Sequence, residues 1–285
     1  MTQPVAKRTL STVILWVISL AALWIFRTPG AVALIALCAV LALREFYRLQ
    51  AAAGRAPFAW LGMFFGALIT AAPWTEQRFG WPAHPLLALA VVIFSIRILG
   101  ERAPDKRVEA LASTLFGLVY VALMLQYLVR IITPLAAGDR FSADGRLLLC
   151  LWLVAVAKFC DTGALVTGLL IGRHPMTPQI SPKKTWEGAA GGIVTSVLVG
   201  ALVAWLAGRH GRGHWPADMP PLHAALIALP IAVLAIVSDL VESVIKRQAA
   251  IKDSGHAVPG IGGIFDVVDS LLLTAPIGYF LMGMR

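Results

Sequence analysis

The chain has 285 residues, of which 59% are apolar and only 14% are charged, and its mean hydropathy is +0.80. Soluble domains are about half apolar and about a quarter charged, so this composition excludes an ordinary soluble enzyme, a disordered protein, a collagen and a disulfide scaffold. The formal net charge is +9. We attribute most of this excess to the basic cytoplasmic loops of a membrane protein rather than to nucleic acid binding.

Apolar runs that approach or reach the roughly 20 residues of a membrane-spanning helix follow one another along the chain. The first begins after Lys7 and Arg8. It resembles a signal peptide, but it is longer than one and further spans follow at once, which predicts a retained helix. The predicted spans cover residues 10–26, 30–43, 57–74, 85–99, 109–129, 147–172, 189–207, 222–241 and 270–284.

The second and fourth of these runs are short, so the sequence predicts eight or nine spans in an all-α, polytopic transmembrane fold. If all nine are real, Lys and Arg are more numerous in the segments that share a side with the N-terminus. The positive-inside rule then predicts a cytoplasmic N-terminus. We expect one integral membrane unit with N-terminal transmembrane helices in 1–145 and a catalytic transmembrane region in 146–285. The catalytic region is assigned to 146–285 because the polar constellations are concentrated in that half of the chain.

The first constellation lies inside the apolar span 147–172. Lys158 and Asp161 are three positions apart and therefore share one face of a helix. Inserting an ionisable residue at the centre of a bilayer costs about 2.5–3.5 kcal/mol of free energy on insertion scales. Two such residues on one face therefore indicate a structural or functional role. A self-neutralising packing pair and the wall of a polar cavity are both consistent with this pattern.

A second constellation is the string SPKKTWEG at residues 181–188. Lys183 and Lys184 stand just before a predicted span. Such a basic pair is common at membrane surfaces. Here, however, Ser181, Thr185 and the backbone amides near a helix start accompany it, and together these groups favour an anion-binding site.

The richest stretch runs from residue 238 to residue 270. Five polar residues at helical offsets form one stripe at the end of a span: Asp239, Glu242, Ser243, Lys246 and Arg247. Carboxylates and cations on one stripe fit a magnesium–polyphosphate site, since Mg²⁺ is held by one or two carboxylates plus substrate phosphates. A polar turn, a glycine-rich turn at 259–263 and two aspartates that open the last span follow the stripe. Their polar residues are Lys252, Asp253, Asp266 and Asp269.

Residues 243–269, which we call the signature segment, read S-x2-K-R-x4-K-D-S-G-x3-P-G-x-G-G-x2-D-x2-D. This pattern resembles the signature of phosphatidate cytidylyltransferases, the CDP-diacylglycerol synthases. The strings SPKKTWEG and DTGA, the latter at 161–164, are also similar to that family and come in its order. The chain departs from the family pattern at Ile261, which replaces a histidine, and at Val267, which replaces an arginine.

The resemblance implies an enzyme of the cell (inner) membrane that transfers the cytidylyl group of CTP to phosphatidate, with its active site facing the cytoplasm. It implies that Asp239 and Asp266 bind Mg²⁺, and a second metal ion is compatible with the site. The expected catalytic residues are Lys183, Lys184, Ser243, Lys246, Arg247, Lys252, Asp253 and Asp269. The expected substrate-binding residues are Asp161, Ser181, Thr185, Gly260, Gly262 and Gly263.

The expected partners are therefore CTP, phosphatidate and the lipid bilayer, without nucleic acid, and a homodimer is compatible with the sequence. Two alternatives stay open within enzymes: a CTP-dependent lipid kinase and a cytidylyltransferase for another lipid phosphate. An ion-coupled transporter is a third, because Lys158 and Asp161 could line an ion path. No counterpart of the second half is visible in the first, as the paired halves of many transporters would require.

Overall fold

The computed structural model describes residues 2–81, 85–100, 104–134, 141–210, 214–251, 253–255 and 262–284, with side chains from Ile25 onward and for Ala21. Nearly all of these residues are helical. In chain order the elements are α1 (Thr2–Ala52), α2 (Ala59–Phe79), α3 (Pro85–Leu99), α4 (Arg107–Gly117), a π-helical segment (Leu118–Leu123), α5 (Met124–Ile132), α6 (Ala143–Ile171), β1 (Pro175–Thr177), β2 (Ser181–Thr185), α7 (Trp186–His210), α8 (Pro221–Gln248) and α9 (Ile264–Leu281).

Six helical segments in the described part of the chain are long and apolar enough to cross a membrane. They are Ile25–Ala52, Arg107–Ile132, Ala143–Ile171, Trp186–His210, Pro221–Gln248 and Ile264–Leu281. The protein is therefore an all-α polytopic membrane protein, as the sequence predicts. The count of eight or nine spans stays a prediction, because α3 is apolar but only 15 residues long.

Two details differ from the sequence-based expectation. The spans 10–26 and 30–43 belong to one helical run, α1, which is interrupted at Arg27 by a non-helical backbone with φ 49° and ψ −135°. The lysines of SPKKTWEG lie in a strand although the sequence predicts only helices, since β1 and β2 pair antiparallel with Pro175 opposite Thr185 and Thr177 opposite Ser181. The fold thus contains one small hairpin that the all-α expectation omitted.

The described chain divides into two compact units. The first comprises Met1–Val129 and Ile245–Val268, and the second comprises Arg130–Val244 and Asp269–Arg285. Helices α8 and α9 contribute residues to both units. The predicted functional boundary near residue 145 is a different kind of division and stays a prediction.

Aromatic packing builds the core of the first unit. Phe46 of α1 is fully buried and meets Phe265 edge-to-face, with ring centroids 5.9 Å apart. The neighbouring Tyr47 donates its hydroxyl hydrogen to the carbonyl of Thr114 at 3.0 Å, which satisfies a buried polar group. These contacts join α1 to α4 and to the start of α9, although Phe46 and Phe265 are more than 200 residues apart in sequence.

Close contact between α6 and α7 organises the second unit. Trp152 of α6 is fully buried, and its indole N–H donates to the carbonyl of Gly200 at 2.9 Å. Ser196 of α7 donates to the carbonyl of Val156 at 2.6 Å. Small residues at helix contacts let backbones approach closely in membranes, where packing and hydrogen bonds drive helix association. The α6–α7 pair thereby fixes the helix that carries Lys158 and Asp161.

Candidate functional site

Three carboxylates of the second unit converge within reach of one cation. Asp239 and Glu242 lie one turn apart on α8, and Asp269 lies on α9. One ligand oxygen from each lies within 4.8 Å of the others. Ser238 fixes this arrangement, because its hydroxyl donates to the carbonyl of Asp269 and accepts from the Leu273 N–H at 3.4 Å. We call Asp239, Glu242 and Asp269 the carboxylate cluster.

Two lysines adjoin the carboxylate cluster. The ammonium of Lys158 lies 3.2 Å from Asp269 and 3.4 Å from Asp161. The ammonium of Lys184 lies 2.6 Å from Asp239. Four carboxylates therefore face two ammonium groups, and the formal charge of the six side chains is −2 when all are ionised. A partly buried excess of carboxylate oxygen is the ligand type that hard divalent cations prefer.

The hairpin of β1 and β2 carries the basic residues of SPKKTWEG. Lys184 is half-buried against Asp239, whereas Lys183 is exposed. Thr185 caps the start of α7, because its hydroxyl accepts from the Gly188 N–H at 3.1 Å. Glu187, in the first turn of α7, holds the segment that leads into the hairpin. Its carboxylate accepts from the Arg173 N–H at 3.1 Å and pairs with the imidazole of His174.

A second polar centre lies in the first unit, around Asp266. One carboxylate oxygen of Asp266 pairs with the ammonium of Lys246 at 2.7 Å. The other accepts from the Ser254 N–H at 3.0 Å and the Gly263 N–H at 2.7 Å, and it lies 2.7 Å from the Ser254 hydroxyl oxygen. Gly262 has φ +129°, and a Cβ there would collide with the same carboxylate. Asp266 therefore accepts from the backbone at Ser254 and at Gly263, the last residue of the glycine-rich turn.

The predicted site residues fall into three groups. The carboxylate cluster, its lysines and the adjoining hairpin include Asp161, Ser181, Lys183, Lys184, Thr185, Asp239 and Asp269. The polar centre around Asp266 includes Lys246, Gly262 and Gly263. Three further residues lie on the last turns of α8 or in the turn after it: Ser243, Arg247 and Asp253. Lys252, Gly260 and the family departure Ile261 lie outside the described residues. The structure groups Asp239 with Glu242 and Asp269, and the assignment of Asp266 as a metal ligand stays a prediction.

Three residues outside the predicted site set belong to these clusters. Lys158 and Glu242 were recognisable in the sequence, one as an intramembrane charge and the other on the α8 stripe. Glu45 of α1 was not singled out, yet its carboxylate accepts from Ser254 and from the Phe265 N–H. A sequence signal for Glu45 exists, because it falls at helical spacing from the buried residues Ala42 and Leu49.

The fold and these clusters define a class: a polytopic helical membrane protein in which carboxylates and lysines gather on and beside the apolar helices. The profile of the Cytidylyltransferase family matches residues 6–284, and the chain belongs to this family. The family predicted from the signature segment is thereby confirmed.

Curated relatives named phosphatidate cytidylyltransferase support the same family. The chain is 31% identical to one from Synechocystis sp. over 268 residues, which is 87% of this chain and 86% of the relative. It is 32% identical to one from Mycobacterium leprae over 172 residues, covering 60% of this chain and 49% of that protein. It is 39% identical to one from Bacillus subtilis over 124 residues, covering 44% and 43%.

Proposed function

We propose that this protein transfers the cytidylyl group of CTP to phosphatidate, giving CDP-diacylglycerol and pyrophosphate. The observation that carries the proposal is the carboxylate cluster with the ammonium of Lys184 2.6 Å from Asp239, in a chain whose family is that of cytidylyltransferases. A membrane-embedded site suits a lipid phosphate, and clustered carboxylates and lysines suit a nucleoside triphosphate with its metal.

The proposed reaction is a direct displacement at phosphorus. A phosphate oxygen of phosphatidate forms a bond to the α-phosphorus of CTP, and the bond from that phosphorus to the bridging oxygen of the β-phosphate breaks. Both electrons of that bond leave with pyrophosphate. The attacking group is already an anion at neutral pH, so the protein need not supply a general base, and positioning with charge neutralisation dominates such chemistry.

We propose that Asp239, Glu242 and Asp269 hold Mg²⁺, because their oxygens are hard donors close enough to share one ion. The ion would neutralise charge on the phosphates of CTP. The flexible side chains of Lys184 and of the exposed Lys183 would place their ammonium groups against phosphate oxygens. The family assignment of Asp266 as a further metal-binding carboxylate belongs to the same proposal, as does a second ion.

We also propose that the site faces the cytoplasm. CTP is a cytoplasmic nucleotide, and the excess of Lys and Arg on the predicted cytoplasmic segments favours this orientation. The inner cell membrane is the corresponding location.

Purified protein with phosphatidate, Mg²⁺ and CTP labelled at the α- or the γ-phosphate tests the function. We expect α-label in the lipid product and γ-label in pyrophosphate. In a parallel assay with a lipid alcohol such as diacylglycerol, label from the γ-phosphate in lipid would instead identify a kinase, and no label in lipid with either acceptor would exclude both enzymes. Replacing phosphatidate with other lipid phosphates tests the choice of acceptor.

A further inference from the structure

The first helix reaches the signature segment through one buried acid. Glu45 is only 6% exposed, and one of its carboxylate oxygens accepts from the Ser254 hydroxyl at 2.9 Å and from the Phe265 N–H at 2.8 Å. The same hydroxyl lies 2.7 Å from Asp266. Glu45 and Asp266 thus hold Ser254 between them, and we call these three residues together with Gly263 and Phe265 the loop junction.

The two carboxylates of the loop junction do different work. Asp266 accepts from the backbone N–H groups of Ser254 and Gly263 and pairs with Lys246. Glu45 accepts the N–H of Phe265, which lies in the first turn of α9 and has no acceptor within its own helix. Glu45 therefore caps α9 from a helix that is distant in sequence.

Glycine is required where the backbone packs on Glu45. A Cβ at Gly255 or at Gly263 would collide with the carboxylate of Glu45, and one at Gly263 would also meet the Ser254 hydroxyl. Two positions of the signature segment thus match this single side chain in shape as well as in hydrogen bonding. A buried carboxylate with two donors and close packing is held in one conformation.

We propose that Glu45 is a positioning residue of the transfer reaction, which fixes Ser254, Gly263 and the start of α9 so that Asp266 and Lys246 keep their places. This proposal rests on the proposed function. Glu45 acts as a hydrogen-bond acceptor and not as a reacting group. Its role therefore requires an acceptor oxygen and does not require a negative charge.

Two substitutions separate these roles. Glu45→Gln keeps an amide oxygen for Ser254 and Phe265, whereas Glu45→Ala removes the acceptor. We expect Glu45→Gln to retain kcat/KM within about tenfold of the wild type and Glu45→Ala to lose about 100-fold or more, because the buried Phe265 N–H is left without an acceptor and the Ser254 hydroxyl keeps only Asp266. Arg48→Gln, at an exposed position one turn further along α1, is the matched control and should leave activity unchanged. A Gln variant as inactive as the Ala variant, or an Ala variant with normal activity, would overturn the proposal.

Hydrogen exchange measured by mass spectrometry gives a readout that does not depend on catalysis. In Glu45→Ala, amides in a peptide covering 253–268 should exchange at least about fivefold faster, while those of the hairpin at 173–187 keep their rate. Glu45→Gln should resemble the wild type in both peptides. Unchanged exchange in Glu45→Ala would contradict the proposal.

If Glu45→Ala does not fold, as judged by size exclusion and thermal unfolding, Ser254→Ala takes its place. It removes one of the two donors and leaves Glu45 with Phe265, so we expect faster exchange confined to the same peptide. Unchanged exchange in this variant would overturn the proposal. If the wild type transfers no α-label from CTP, the proposed function fails, and the exchange experiment still decides whether Glu45 holds the loop junction.

Discussion

At the scale of single residues, the charge of the carboxylate cluster depends on Lys158. Its ammonium group bridges Asp161 and Asp269, and the exposed fraction of its side chain is 24%. Removing one partner of a buried ion pair is costlier than the pair is stabilising, because the remaining charge stays desolvated. We therefore expect Lys158 both to stabilise the fold and to offset the negative charge of Asp269. A self-neutralising packing pair and the wall of a polar cavity are thus compatible interpretations of Lys158 and Asp161.

Lys158→Gln should lower the free energy of unfolding by on the order of 3 kcal/mol, since Asp161 and Asp269 then lack their common cation. Thermal unfolding in detergent measures this change. Lys106→Gln, at an exposed position before α4, is the matched control and should change stability little. An unfolding temperature of Lys158→Gln equal to that of the wild type would show that the ion pairs do not stabilise the fold.

Asp239→Asn and Glu242→Gln should each lower transfer of α-label from CTP by about 100-fold or more, because a metal ion supplies several kcal/mol of charge stabilisation. Both changes preserve side-chain shape, so the proteins should stay folded. Where a variant keeps residual turnover, we expect it to need a higher Mg²⁺ concentration than the wild type for half-maximal activity. Asp105→Asn, an exposed aspartate outside the cluster, is the control. Normal turnover in either cluster variant would show that the substituted residue is not a metal ligand.

At the scale of elements, the α6–α7 contact determines where Lys158 and Asp161 lie. A Cβ on Gly192 of α7 would be 2.7 Å from the carbonyl oxygen of Cys160 and 3.0 Å from the Cβ of Ala164. A backbone carbonyl of a long helix cannot give way without moving its neighbours. The contact therefore requires glycine at 192 for reasons of space.

Gly192→Ala should destabilise the protein by about 1–3 kcal/mol and lower transfer activity, because overpacking displaces α6 together with its ionised pair. Gly208→Ala on the same helix is the matched control. A Cβ at Gly208 meets no atom within 4 Å, so the gain in helix propensity should leave stability unchanged or raise it by up to about 1 kcal/mol. Equal unfolding temperatures for the two variants would contradict this account of the contact.

At the scale of the whole molecule, the orientation in the membrane is open to a direct test. Single cysteines at Gln179, in the turn of the hairpin, and at Ala250, just after α8, are exposed positions. We expect an impermeant maleimide to modify both only after the membrane of intact cells is opened, because both should face the cytoplasm. The background protein should lack Cys38, Cys150 and Cys160.

A cysteine at Ala217, between α7 and α8, supplies the opposite expectation. If α7 crosses the membrane once, this position faces away from the cytoplasm and reacts in intact cells. Reaction of the cysteines at 179 and 250 from different sides would exclude a common cytoplasmic site. Reaction of all three from one side would show that α7 does not cross.

The sequence by itself determined the class of the protein and most of its polar residues. Long apolar runs predict membrane helices because the free energy of insertion sums along a contiguous stretch. Helical periodicity likewise placed Asp239, Glu242 and Lys246 on one stripe of α8 and paired Lys158 with Asp161, since residues three and four apart meet on a helix. The signature segment then indicated the family that the profile match confirms.

Only the tertiary structure decided which of these residues meet across the fold. Lys158 contacts Asp269, and Lys184 contacts Asp239, although neither pair is close in sequence. Glu45 lies 209 residues from its partner Ser254, and no local pattern encodes that contact. Periodicity fixes the face of a residue within its own helix, whereas packing of helices fixes which faces oppose each other. For this reason the chemical groups of the site could be predicted from the sequence, whereas their contact partners could be identified only from the tertiary structure.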